Sequence, residues 1–299
     1  MADFEEATFT DTTNFVEANF AGTVFFRDAI FENLVFFEEM TFANVAIFEG
    51  VIFEQPVGYF SVVSLGRVTF SRTRFARGGT LRFAGGEIVL DDVLFDAQRV
   101  FIGSHNALLS DLLDAVNVFA VLLFPLISKT GSVFVRSTRT HYVSRLLSLR
   151  RVDASMLTLS GLNLSECSFD EVYHLDRLRF EQDPTFLWPS PRFFPKRRVL
   201  FQEARWRKQH SHFRKKWNPP PQDMPDSSLE PKDLAQIYRD FRKGREDEKN
   251  EPGAADFYYD EMEMRRYAVS QGSFEKLFLT AYRFVSAMSS GLYALLPHS

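Results

Sequence analysis

A chain of 299 residues and 34.5 kDa is long enough for two ordinary domains or one elongated one. Its 45% hydrophobic and 25% charged residues exclude wholesale disorder. The single cysteine, Cys167, excludes a disulfide framework and a cysteine-based zinc or iron–sulfur site. The net charge of −4 is small, but it is unevenly spread. Residues 1–56 hold 11 acidic groups against Arg27 alone, whereas residues 136–217 hold 17 Lys and Arg against 8 Asp and Glu. The 33 phenylalanines, against 9 Tyr and 3 Trp, exceed what a globular core calls for.

From the first residues these phenylalanines are periodic. Phe4, Phe15, Phe26, Phe37 and Phe48 are spaced by 11, and so are Phe9, Phe20, Phe31, Phe42 and Phe53. The two series interleave into alternating steps of five and six. A slim apolar or small residue stands two positions before most of them, as at Ala2, Ala7, Thr13, Ala18, Val24, Ala29, Val35, Ala46 and Val51, with Met40 the bulky exception. On a helix a step of five lands roughly 140° away, and on a straight strand an odd step changes face, so neither fits. A solenoid that turns a corner about every five residues aims every Phe at one axis.

Ala2-Asp3-Phe4, Ala7-Thr8-Phe9, Ala18-Asn19-Phe20 and Asp28-Ala29-Ile30-Phe31 resemble the pentapeptide-repeat family in its phenylalanine-rich form. The spacing resumes at Phe60, Leu65, Phe70 and Phe75, then at Phe119, Phe124 and Phe134. It returns at Leu159, Leu164, Phe169, Leu175 and Phe180, with Leu162, Cys167, Tyr173 and Leu178 at the slim position. The resemblance implies a mainly β fold, a right-handed quadrilateral β-helix over residues 1–183 that is irregular at 76–150. It puts Phe4, Phe9, Phe15, Phe20, Phe26, Phe31, Phe37, Phe42, Phe48, Phe53, Leu164, Phe169 and Phe180 in the core. Coils of about 20–22 residues would give roughly eight turns. The extra residue in every second repeat predicts swollen corners, and Gly78-Gly79 and Gly85-Gly86 predict turns or bulges. Cys167 is expected in the core. An uncovered first coil leaves strand edges open, so an end-to-end homodimer is expected unless the natural chain starts upstream.

Residues 184–217 form a basic aromatic collar: Arg197 and Arg198, then Arg205-Trp206-Arg207-Lys208, then Arg214-Lys215-Lys216-Trp217. These are candidate contacts for an anionic membrane surface or a protein partner, and nucleic acid is the least favoured ligand. Residues 218–230 read as a Pro-rich linker. The segment 231–270 reads as a helical hairpin broken at Asn250-Glu251-Pro252-Gly253, with Pro252 suited to a first helical turn. Glu261, Glu263, Asp256 and Asp260 make an acidic face expected to pair with Arg265 and Arg266. The hairpin also resembles the same family subgroup, which implies a membrane-spanning C-terminus. Residues 271–299 carry an apolar helix whose core, 277–296, has Arg283 inside it, so it reads as an interfacial or truncated anchor. The absence of an N-terminal signal pattern predicts a cytoplasmic location.

No phosphate-binding glycine loop, nucleophile–histidine pair or metal-ligand spacing stands out, so no catalytic, cofactor or metal residue is assigned and an enzyme is not expected. The expected function is a non-enzymatic scaffold or adaptor, mediating protein–protein interaction at or near the cytoplasmic membrane of a bacterial cell. One alternative, implied by the family resemblance, is mimicry of DNA toward DNA gyrase and related topoisomerases, of the quinolone-resistance type, through Glu17, Asp28, Glu32, Glu38, Glu39 and Glu49. Another is an accessory domain of a membrane channel or transporter.

Overall fold

The computed structural model describes residues 1–96, 100–104, 144–181, 184–186, 199–210, 229–269 and 273–281. They form a mainly β, parallel solenoid of about six turns with four helices after it. The expected eight turns are thus not reached among the described residues. Phe119, Phe124 and Phe134 lie outside them. The chain divides into two compact units: Met1–Val89 with Leu94–Arg145 and Leu159–Leu162, and Leu90–Val93 with Leu146–Thr158 and Asn163–Ser299.

In the first unit the alternation of five and six residues is the coil itself. The first coil is four two-residue strands, β1 (Ala2–Asp3), β2 (Thr8–Phe9), β3 (Thr13–Asn14) and β4 (Asn19–Phe20). Its successor holds β5 (Val24–Phe25), β6 (Ile30–Phe31) and β7 (Val35–Phe42). Ala2 stands opposite Val24, Thr8 opposite Ile30, Thr13 opposite Val35 and Asn19 opposite Thr41, all parallel and all 22 residues apart. Two elevens therefore make one turn. β7 receives both β3 and β4, so from the second coil onward one corner is a continuous bent strand.

This register puts like on like. Phe4, Phe26, Phe48 and Phe70 form one column of stacked rings with centroids 4.9, 4.8 and 5.0 Å apart. Phe9, Phe31, Phe53, Phe75 and Phe95 form a second, at 4.7, 5.2, 5.0 and 5.5 Å. Phe15–Phe37 and Phe20–Phe42 begin the other two. Neighbouring columns meet edge to face, as Phe26 and Phe37 do at 6.3 Å and 85°. The slim positions Val24, Ala29, Val35, Met40, Ala46 and Val51 are buried beside them.

The two step lengths use different corners. In the five-residue steps, Ala7 donates its N–H to the Phe4 carbonyl, Ala18 to Phe15 and Ala29 to Phe26. The third residue of each of these turns, Glu6, Glu17 or Asp28, has positive φ, which is a type II turn. Gly50 occupies the same corner one coil on, at φ +68°, where a Cβ would meet the Asp28 carboxylate.

One inward position is corrected. Leu65 is exposed, and Ser64 takes the place below Phe42. Phe60 pairs with Phe37 at an offset of 23 residues but Val62 pairs with Met40 at 22, so β7 carries one residue more than the strand Val57–Ser64 between these pairs; this bulge returns the register to 22 and puts Ser64, not Leu65, opposite Phe42. The fourth phenylalanine column stops there.

In the second unit the coils are aliphatic and about 20 residues long, with Ser148 bridged to Ser168 and Asp153 to Tyr173. Leu149, Val152, Leu164, Cys167 and Phe169 are buried, whereas Phe180 is half-buried and Tyr173 is exposed rather than inward. The helices are α1 (Phe201–His210), α2 (Pro231–Asp247), α3 (Glu251–Ala268) and α4 (274–281). Pro231 opens α2 behind a Glu230–Asp233 capping box, and the Asn250 side chain caps α3 by accepting the Gly253 N–H at 3.0 Å. Pro252 lies in the first turn of α3, as the sequence predicts. Phe241 of α2 joins helices to coils: its ring lies 5.1 Å from Phe169, 6.2 Å from Phe180, 5.9 Å from Phe186 and 5.1 Å from Phe257. Gly244 lets α2 approach the Asp176 carbonyl, where a Cβ would stand at 2.9 Å.

Phe31→Ala and Phe42→Ala should each lower stability by about 3–5 kcal/mol in chemical unfolding, whereas Phe25→Ala, on the outward side, should cost far less. Gly50→Ala should cost about 1–2 kcal/mol through its left-handed φ. Equal effects of Phe25→Ala and Phe31→Ala would contradict the inward register.

Candidate interaction surfaces

With the axis of the first unit filled by rings, its polar chemistry is carried outside. The first two coils present carboxylates: Asp3, Glu5, Glu6, Asp11, Glu17, Asp28, Glu32 and Glu39 are exposed. Among the described residues, Glu17, Asp28, Glu32 and Glu39 enter no ion pair. One coil further on, the charges pair across coils. Glu49 faces Arg27 at 3.5 Å and Arg72 at 2.8 Å, Arg67 faces Glu87 at 2.9 Å with Arg145 on its other oxygen, and Arg74 faces Asp96 at 2.6 Å. The Asp96 hydrogen bond and charge push the Arg74 guanidinium pKa further up. Between the Glu49 and Glu87 groups lies a shallow groove of about 530 Å3, floored by Val45, Ile47 and Thr69. Its mixed lining, with each charge already paired, suits a polypeptide surface better than a small ion.

In the second unit, α1 carries the described basic residues of the collar, Arg205, Arg207 and Lys208. Arg207 is buried: its Nε donates to Glu203 at 2.6 Å, one Nη to the Tyr267 hydroxyl at 3.2 Å and the other to Glu263 at 3.4 Å. Glu203, fully buried, also accepts the Tyr238 hydroxyl, which itself accepts the Leu200 N–H. Arg266 donates twice to Glu263. The result is an alternating chain, Tyr238–Glu203–Arg207–Glu263–Arg266, in which no buried charge lacks an opposite neighbour. Arg207 is therefore committed inward. Arg205, Trp206 and Lys208 are half-buried, and Trp206 stacks on His210 and meets Tyr267 edge-on at 5.1 Å. Arg197, Arg198, Arg214, Lys215, Lys216 and Trp217 lie outside the described residues.

The acidic face of α3 pairs differently from expectation. Glu261 is buried and accepts from Arg239 and Arg242 of α2, both at 3.0 Å, while Arg265 reaches Glu275 at 2.8 Å. Glu263–Arg266 matches the predicted pairing. The signal within the basic run was Glu203, the one carboxylate among residues 184–217, placed four residues before Arg207. Cys167 lies buried among apolar side chains, and loss of water around it, reinforced by Asp170 and Asp91, pushes its thiol well above the ordinary value.

Among the described residues no cluster of three or more His, Cys, Asp and Glu could hold a metal ion, and no helix is long and apolar enough to cross a membrane. Comparison with known proteins finds no matching family model, no matching curated protein and no matching solved structure.

Removing one member of the buried chain should be costly. Glu203→Gln is expected to destabilise by about 3–5 kcal/mol, while Lys208→Gln should change unfolding by no more than about 0.5 kcal/mol. Cys167 should resist alkylation at pH 8 in the native protein and react fully in denaturant, read by intact mass. Rapid native labelling would place it outside the core.

Proposed function

We propose that the protein is a non-enzymatic pentapeptide-repeat scaffold, with the right-handed quadrilateral coil of that family, that holds partner proteins at or near the cytoplasmic face of a membrane. The observation that carries the reading is the occupancy of the solenoid axis. Stacked phenylalanine rings fill it from Phe4 to Phe95, so recognition falls to the outer faces. The 22-residue register also supports the family assignment, since each turn is four short steps with a slim residue two positions before each ring. On the faces, apolar Ile47 and Thr69 lie between ion pairs, a mixed surface of the kind protein partners use.

A photo-crosslinker placed in the full chain at Ile47, at Thr69 and, as a control, at Leu94 on another side tests this in cells. One discrete protein adduct from the first two positions and not the third is expected. No adduct from any outward position would remove the scaffold reading.

The unpaired carboxylates of the first two coils favour one further reading, mimicry of a nucleic-acid backbone toward a type II topoisomerase. Glu6 and Asp28 stand one coil apart, as do Glu17 and Glu39, but Gly50 and then Arg72 follow Asp28 at its corner. The acidic columns are thus two coils deep, short for a duplex mimic. Gyrase supercoiling in the presence of micromolar full-length protein separates the two readings: the scaffold reading expects no inhibition, and inhibition lost on Glu17→Lys with Asp28→Lys would establish mimicry.

A further inference from the structure

Helix α4 is held to its own unit by one side and displays the other. Leu279 is 5% exposed, whereas Phe274, Leu277 and Phe278 are 84%, 68% and 66% exposed. These three sit at i, i+3 and i+4, so with Ala281 they span an arc of about 100° on a helix. Three adjacent large apolar side chains in water, on a helix that could have turned them inward, require an account.

Beyond the described residues the sequence keeps the same phase. Val285, Met288, Leu292 and Leu295 continue in the sequence the three-and-four spacing begun at Phe274, and Lys276 falls on the opposite arc of α4. The charge is one-sided as well. After Glu275, which is engaged by Arg265 at 2.8 Å, the sequence contains no Asp or Glu, but it contains Lys276 and Arg283. A stripe of Phe, Leu, Val and Met flanked by cations only, with Ser and Thr on its polar arc, matches a negatively charged apolar interface. A second copy of the same stripe would bring like charges together.

We propose that α4 lies in the plane of an anionic lipid bilayer surface, with Phe274, Leu277 and Phe278 inserted at the boundary between headgroups and acyl chains. The proposal rests on the membrane-proximal part of the scaffold reading and gives it a specific face. Its failure would leave the partner-binding role of the solenoid standing, since the crosslinks at Ile47 and Thr69 test that separately.

The full-length protein is sedimented with vesicles of phosphatidylcholine alone and with phosphatidylglycerol added. Binding to the anionic vesicles is expected, weakening as salt is raised. The triple variant Phe274→Ser, Leu277→Ser, Phe278→Ser should bind at least about tenfold more weakly with an unchanged thermal transition, because these side chains are exposed. Phe278→Trp provides a second readout: its emission, taken against the wild-type background, should shift to the blue only with anionic vesicles and be quenched by shallow brominated lipid. Sedimentation of the triple variant equal to wild type, no binding to anionic vesicles, or a blue-shifted Phe278→Trp without lipid would each overturn the proposal, the last in favour of self-association.

Discussion

The spacing between stacked phenylalanine rings is the constraint on which the first unit depends. Parallel strands sit about 4.7–4.9 Å apart, and the rings of the first column sit 4.8–5.0 Å apart. Backbone pairing and aromatic stacking therefore ask for the same repeat, and neither strains the other. Over the first turns the shared offset is 22 residues, which puts Phe4 under Phe26 and Phe26 under Phe48; at Phe75–Phe95 it has shortened to 20 with the rings still stacked. An extra residue has to be absorbed on the surface. Where the register shifts, between the pairs Phe37–Phe60 and Met40–Val62, β7 bulges, Ser64 rather than a ring stands opposite Phe42 and a column ends.

The second unit solves the same problem with different materials. Its coils are narrower, aliphatic at Leu149, Val152 and Leu164, and supply fewer rings to stack. The helices compensate by bringing Phe241 and Phe257 against Phe169 and Phe186. They also bury charge, and burial works there because it is alternating: Glu203, Arg207, Glu263 and Arg266 each face an opposite sign. An isolated buried carboxylate would cost several kcal/mol, so these residues order α1 against α2 and α3 as a group or not at all.

The first unit was legible because its signal is local and repeated. A step of five then six, with a slim residue two before each ring, specifies side, depth and corner at once, and the pairings of Ala2, Thr8, Thr13 and Asn19 follow from it. Leu65 was misplaced because a bulge changes phase without changing composition. The hairpin was legible from its apolar spacing and from Pro252, but the partners of its charges were not. Glu261 meets Arg239 and Arg242 rather than a neighbour on its own helix because the helix–helix contact, which no local period encodes, decides which face is dry. Arg207 shows the limit most clearly: within a run of cations it reads as a surface charge, and only the fold supplies Glu263 and Tyr267.

The corners tie the core to the surface chemistry. The third residue of each type II turn must take a positive φ, a position that glycine fills without strain and other L-residues occupy at about 1–2 kcal/mol. Yet Glu6, Glu17, Asp28, Glu39 and Arg72 stand at such positions in the first unit, whereas Gly50 is the residue the backbone would select. Five charged side chains held at a backbone cost, and four of them carboxylates facing solvent, are not accounted for by the coil they interrupt. Their side chains contribute nothing to the phenylalanine columns, so their value lies in what they present outward. The proposed scaffold role would give those corners a purpose, with the acidic positions concentrated on the first two coils and the paired charges following them. The interior sets the 22-residue period of the first coils, and the period in turn places Glu6 one coil below Asp28 and Glu17 one coil below Glu39.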